Sequence, residues 1–191
     1  MLFVQVLVMR FEKRIFLSTA TMHGEEMEFV KEAFDRNWIA PLGFNCDGFE
    51  EEMQSFLTDG GQDEYHCLAL ASGTAALHLA IKLAGVKRGD VVFCTDTTFA
   101  ATVNPVTYEG GVPVFIDSEK DSWNMDPAAL EKAFKKYPDA KVVMLAHLYG
   151  SPAKMDEIPS QQKGIVSLFL STWSFQTSET LRGGFLSPWP E

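Results

Sequence analysis

An α/β fold, with a mainly parallel sheet and helices on both faces, is predicted by three observations. Short apolar runs alternate with helix-periodic segments, the connections between them are short, and the chemically unusual residues gather where the runs end. Strands that alternate with helices form βαβ units, and such sheets are covered on both sides. Ligands in these folds sit beyond the carboxyl ends of the strands.

Two helices come first. From Gly24 to Trp38, apolar Met27, Val30, Phe34 and Trp38 recur every three or four residues behind Glu25 and Glu26, which predicts an amphipathic helix. A second is expected from Asp47 to Leu57, with Phe49, Met53, Phe56 and Leu57 inward, ended by Thr58-Asp59-Gly60-Gly61. Alternation follows. Strand 66–71 leads to helix 74–84, stopped at Gly85; strand 91–94 leads to a helix starting near Phe99; strand 112–116 leads to a helix opened by Asp126 and Pro127; strand 141–146 leads to a short helix near Ala153. Gly164 to Leu170 reads as one more strand, whereas Ser171 to Thr177 has no clear period.

Composition narrows the function classes. The 191 residues, 46% hydrophobic and 22% charged, suit one globular domain with a sizeable core. A formal charge of −10 without a Lys/Arg cluster argues against a nucleic-acid partner. Cys46, Cys67 and Cys94 form no C-x-x-C pair, which argues against a disulfide framework or a zinc site and favours the reducing cytoplasm. Cys67 and Cys94 are expected in the core. His23, His66 and His78 show no metal-ligand spacing. The apolar opening, Met1 to Met9, is far shorter than the ~20 residues of a membrane span and lacks a signal-peptide flank. The favoured reading is an upstream extension with Met9 as the start, and no membrane partner is expected.

Leu68 to Ala80 carries the strongest functional signal. An apolar strand passes through Ser72-Gly73-Thr74 into a helix, so hydroxyls, an unhindered backbone and the first helical amides meet at the positive end of the dipole. This is a phosphate-binding pattern, and it is equally the pattern of an ordinary N-cap. Phe99 is open to two readings, ring stacking or core packing; Thr102 and Asn104, one turn further on, suit hydrogen bonding to the backbone or to a ligand. His147 ends a strand, where a backbone partner and a ligand are alternatives.

Four ordered segments, Asn37-Trp38-Ile39-Ala40-Pro41-Leu42-Gly43, Ser72 to Leu77, Thr98 to Pro105 and His147-Leu148-Tyr149-Gly150, together resemble the DegT/DnrJ/EryC1/StrS aminotransferases. The resemblance covers about residues 14 to 158. It implies the large domain of a fold-type I enzyme that uses pyridoxal phosphate to move an amino group from an amino-acid donor, usually glutamate, to a nucleotide-linked keto-sugar. By resemblance, Gly73 and Thr74 hold the cofactor phosphate, Ala75 adds a backbone amide, Phe99 stacks on the ring, and segment 38–43 faces the sugar nucleotide.

Two implied residues do not appear. No Asp follows Asp156 to pair with the pyridine nitrogen, and Lys163 lies too early to be the lysine that holds the cofactor covalently. No residue is therefore assigned a catalytic role. The organisation expected is an extension (1–13), an aminotransferase-like portion (14–158) and a divergent tail (159–191). The expected protein is truncated and inactive alone, a homo-oligomer or a non-catalytic partner of a full-length homologue. An unrelated phosphate- or dinucleotide-binding α/β domain fits less well, because neither G-x-G-x-x-G nor G-x-x-x-x-G-K-[ST] follows a strand.

Overall fold

The computed structural model describes residues 22–58, 65–140, 142–158 and, for its backbone, 166–170. The expected extension and most of the tail lie outside these residues. The chain divides into two compact units, Met1–Glu51 and Glu52–Glu191.

Helix α1, Glu26–Asp35, is the first helix among the described residues of the first unit. The Glu26 carboxylate accepts the Gly24 N–H at 2.9 Å, so an acidic side chain satisfies a backbone donor just before the helix. Asn37 takes a left-handed φ of 59°, so the helix stops before Trp38, which the sequence pattern had placed on its stripe. The stripe residues are exposed: Met27 at 67%, Phe34 at 66%. α2 spans Phe44–Thr58, longer than expected at its start.

The second unit holds the sheet. Strands β1 (Val91–Thr95), β2 (Val112–Ile116), β3 (Val142–Ala146) and β4 (Val166–Leu170) pair in the order β2-β1-β3-β4, and every pair is parallel. The last strand comes from the segment read as Gly164 to Leu170. Helices α3 (Gly73–Leu83), α4 (Ala100–Tyr108) and α5 (Pro127–Lys136) cover it.

Alternation along the strands sorts the core into two layers, because successive side chains point to opposite faces. Val92 and Cys94 of β1, with Val142 and Met144 of β3, meet Leu77 and Ile81 of α3 and Val106 of α4. Phe93, with Val143 and Leu145, meets Leu130 and Phe134 of α5. Phe93 and Phe134 pack edge to face, centroids 4.8 Å apart. Helices thus cover both faces, as expected.

Residues 66–71 differ from expectation, for they form no strand of this sheet. Leu68 and Leu70 are 62% and 41% exposed. An apolar run becomes a strand only when a neighbouring backbone completes its ladder, and residues 66–71 pair with none of the described strands. Cys67 is consequently half-buried, not a core residue, while Cys94 is fully buried, which pushes its thiol pKa up to about 12. In place of the helix expected near Ala153, two single 3-10 turns occur, Leu148–Gly150 and Met155–Glu157.

Candidate functional site

Parallel topology sets where a site can form. From β1 the chain moves outward through α4 to the edge strand β2; from β2 it crosses back through α5 to β3, on the other side of β1. β1 and β3 are therefore the switch point, whose carboxyl ends open a crevice in folds of this type. The β1–β3 ladder stops at Cys94↔Met144. Beyond it the buried Thr95 hydroxyl bridges the strands, donating to the Met144 carbonyl at 3.4 Å and accepting the Ala146 N–H at 3.3 Å. Nothing in the sequence pattern had marked Thr95, since a threonine in an apolar strand is ordinary.

Helices α3 and α4 present their N-termini at that same rim. α4 returns the chain from the carboxyl end of β1 to the start of β2, and α3 hands over to the start of β1, so both run against the strands. Side-chain contacts hold their other ends together: Glu109 meets His78 at 2.6 Å and Lys82 at 3.0 Å, and the His78 ring stands edge-on to Tyr108.

At the start of α3, Ser72 is the N-cap, and its hydroxyl accepts the Ala75 N–H at 3.2 Å. Ala75 therefore spends its amide on the cap. Gly73 and Thr74 remain as the donors of the first turn without an intrahelical acceptor. A Cβ built on Gly73 would meet nothing within 4 Å, so the backbone there is open to an incoming group. Thr74 is half-buried, with its hydroxyl on the same turn.

Phe99 caps α4 at the end of the β1 loop, with 77% of its surface exposed. Core packing, the alternative reading of this residue, does not apply. Thr98 and Thr102 bond through their hydroxyls at 2.8 Å, so Thr102 serves local structure, and the Asn104 backbone carbonyl accepts the Thr107 hydroxyl at 2.7 Å. Ser118 donates to Asp96 at 2.9 Å and ties the β2 loop to the β1 loop.

The other side of the crevice is the loop after β3. His147 Nδ1 accepts the Ala153 N–H at 2.9 Å, so the ring proton of the neutral imidazole sits on Nε2. Partial burial holds the His147 pKa below its ordinary 6.5, keeping the ring neutral. Tyr149 lies at φ 52°, ψ 35°, with 77% of its surface exposed. Gly73, Thr74, Phe99 and His147 thus all lie at the carboxyl rim. In the first unit, Trp38, Gly43 and Phe44 line a shallow hollow with Arg36, whose guanidinium lies over the Phe44 ring.

Among the described residues, no helix is long and apolar enough to cross a membrane, and no His/Cys/Asp/Glu group of metal-site size occurs. These features define an α/β domain with a phosphate-type helix start and an exposed ring at one rim. Over residues 20–165 the chain matches the DegT/DnrJ/EryC1/StrS aminotransferase family, and it belongs to that family.

A Bacillus subtilis strain 168 protein described as the pyridoxal phosphate-dependent aminotransferase EpsN is 49% identical over 152 residues, which is 78% of this chain and 38% of that one. The GDP-perosamine synthase of Escherichia coli O157:H7 is 33% identical over 138 residues, 72% of this chain and 36% of that one. The chain spans a little over a third of the length of these relatives. Among solved structures, 3-amino-5-hydroxybenzoic acid synthase superposes with a TM-score of 0.67 at 27% identity, over 78% of this chain and 37% of the other. A sugar aminotransferase of Streptococcus pneumoniae shares the fold with a TM-score of 0.69 at 24% identity, over 83% and 42%.

Proposed function

We propose that this chain supplies the phosphate and ring contacts of a pyridoxal phosphate site, in an aminotransferase that moves an amino group from an amino-acid donor, glutamate in our reading, to a nucleotide-linked keto-sugar during surface polysaccharide or glycan synthesis. The observation that carries this reading is the shared rim: open first-turn amides at Gly73 and Thr74 on α3, and the exposed Phe99 ring at the start of the neighbouring α4. Membership of the family and the relatives named above support it.

The residues fit such a cofactor. Gly73 and Thr74 would offer two N–H donors, and Thr74 a hydroxyl, to a phosphate dianion, whose charge the α3 dipole would favour. Phe99 offers a flat apolar face that excludes water from one side of a pyridine ring. His147, neutral with its proton on Nε2, is a hydrogen-bond donor at this rim rather than a proton acceptor. When bound, pyridoxal phosphate supplies the electron sink that acidifies the donor's Cα–H. Moving that proton takes a base, and no residue of this chain is assigned the role. We therefore read residues 14–158 as the aminotransferase-like portion, and the 191-residue polypeptide by itself as binding without turnover.

The test uses pyridoxamine phosphate, which has no aldehyde to label surface lysines. Titrated against the 191-residue polypeptide, it should bind at least tenfold more tightly than pyridoxamine, because only the phosphorylated form engages Gly73 and Thr74. Phe99→Ala should weaken both ligands while leaving their ratio intact, and glutamate with pyridoxal phosphate should yield no turnover. Equal affinity for the two pyridoxamines would refute the phosphate site.

A second reading is favoured by the exposed stripe of α1: the chain works as the non-catalytic partner of a full-length homologue, or as a homo-oligomer. Co-purification with a full-length family member would support the first form, and a self-assembled species in sedimentation the second.

A further inference from the structure

Asn124 has 0% of its surface exposed, yet it is a polar residue on a surface turn. Three of its bonds have defined partners. Its Oδ1 accepts the Leu148 N–H at 2.8 Å, and its Nδ2 donates to the Ser151 carbonyl at 2.9 Å and to the Ser122 hydroxyl at 3.0 Å. A backbone amide needs an acceptor and a backbone carbonyl needs a donor, so only this orientation of the carboxamide satisfies both ends. One side chain thus spans the turn that contains Tyr149.

The turn that carries Asn124 is itself braced. Glu119 N–H donates to the Asn124 carbonyl at 2.8 Å, and Ser118 and Met125 form an antiparallel bridge. The Glu119 carboxylate accepts from Ser122 and from the Asp121 N–H, and Lys154 closes the group at 3.2 Å to Glu119 and 3.0 Å to Asp121. The β2–α5 connection therefore grips the β3–β4 connection at two places. Within the first of these, between Leu148 and Ser151, Tyr149 holds a left-handed backbone, which is uncommon for a bulky L-residue. Free of that grip, Tyr149 would relax to a negative φ and carry its ring elsewhere.

We propose that Asn124 is a positioning residue of the switch-point crevice: by binding Leu148 and Ser151 it holds the 147–151 turn in the one conformation that sets the Tyr149 ring at the rim opposite Phe99, ready to contact a planar phosphorylated ligand. The ligand class rests on the reading given under Proposed function. The amide contributes no chemistry of its own. Its effect on binding passes through Tyr149.

That dependence gives the test. Pyridoxamine phosphate affinity is measured for the full chain and for Asn124→Ala, Tyr149→Gly and the double variant, with the Tyr149 backbone conformation followed by NMR without ligand. Asn124→Ala should weaken binding roughly tenfold, the effect of losing about 1.4 kcal/mol of hydrogen bonding. In the Tyr149→Gly background the same change should cost less than about twofold, since the residue it acts through is gone. Equal losses in both backgrounds, or no loss in either, overturn the proposal. NMR should show Tyr149 leaving the left-handed region in Asn124→Ala; an unchanged Tyr149 backbone overturns the proposal whatever the affinities. If wild type binds no pyridoxamine phosphate, the cofactor reading fails, and the NMR outcome alone decides the role of Asn124. Should Asn124→Ala not fold, Asn124→Gln keeps a neutral carboxamide with both acceptor and donors, displaced by one methylene from Leu148 and Ser151. It should give an intermediate loss of affinity and a partly released Tyr149, and wild-type behaviour in both overturns the proposal.

Discussion

Helices α1 and α5 are both ten residues long and both amphipathic, yet they end in opposite circumstances. α5 buries Pro127, Leu130 and Phe134 against the sheet, whereas α1 buries nothing and leaves Phe34 66% exposed. The difference lies in the partner, not in the helix. A period of 3.6 dictates which side chains share a face; it does not supply the second surface that takes the face out of water. In α5 that surface is the alternate face of β1 and β3.

The sharpest way to break this comparison is a matched pair of substitutions. Phe134→Ala should cost about 3–5 kcal/mol, because a ring packed edge to face on Phe93 leaves a cavity. Phe34→Ala should stay within about 0.5 kcal/mol, as for surface positions generally. Urea unfolding of the two variants checks both, and a large loss from Phe34→Ala would show that the α1 face is covered in solution.

Next in size is Gly111→Ala, just after α4. A Cβ there would lie 2.9 Å from Val106 Cγ1 and 3.1 Å from the Val106 carbonyl, so about 1–3 kcal/mol of overpacking is expected in the same assay. Capping gives a smaller contrast. Asp126 accepts the Ala128 N–H at 2.8 Å at the start of α5, and Asp126→Ala should cost about 1 kcal/mol. Glu25, at the corresponding position of α1, makes no side-chain cap bond, and Glu25→Ala should leave the helix content unchanged by circular dichroism.

The smallest expected effect is that of pH on the β3–β4 connection. Burial lowers the His147 pKa, so the folded state prefers the neutral ring. The unfolded chain binds the proton first, near the ordinary value of 6.5. The stabilisation is therefore complete above that pH and is lost as the pH falls from there toward the folded-state pKa. Below it Glu119 adds a second window. Its carboxyl is held at about 2 by the Ser122 hydroxyl and the Asp121 N–H, so its stabilisation is present above the ordinary 4.5 and is lost toward pH 2. Melting temperatures of wild type and His147→Asn should diverge between pH 7 and 5. Parallel curves would mean that His147 is protonated alike in both states.

Much of the fold was legible because the signals were local. Asp126-Pro127 opens α5, and Gly85, at φ 72°, follows the end of α3, since an N-cap oxygen and a left-handed backbone position are properties of single residues. Part of the candidate site was legible for the same reason. Gly73, Thr74 and Phe99 follow strand or turn signals and match family segments. Thr95 and Asn124 were not legible. Their importance lies in bonds to residues 49 and 24 positions away, and nothing in the local pattern distinguishes them.

Residues 66–71 and 91–95 show where that boundary falls. By itself the sequence determined the periodicity: which residues alternate, where α3 and α5 begin, and where the small, hydroxyl and aromatic residues collect. Only the tertiary structure decided which apolar runs became strands. It chose β1, because β2 and β3 complete its ladders on both sides, and left 66–71 outside the sheet. The same holds at the rim, where Tyr149 takes a backbone that its own sequence disfavours and Asn124, from another turn, supplies the bonds that hold it. Local propensity acts through neighbours in the chain, whereas ladders and buried polar clamps need partners that only folding brings together.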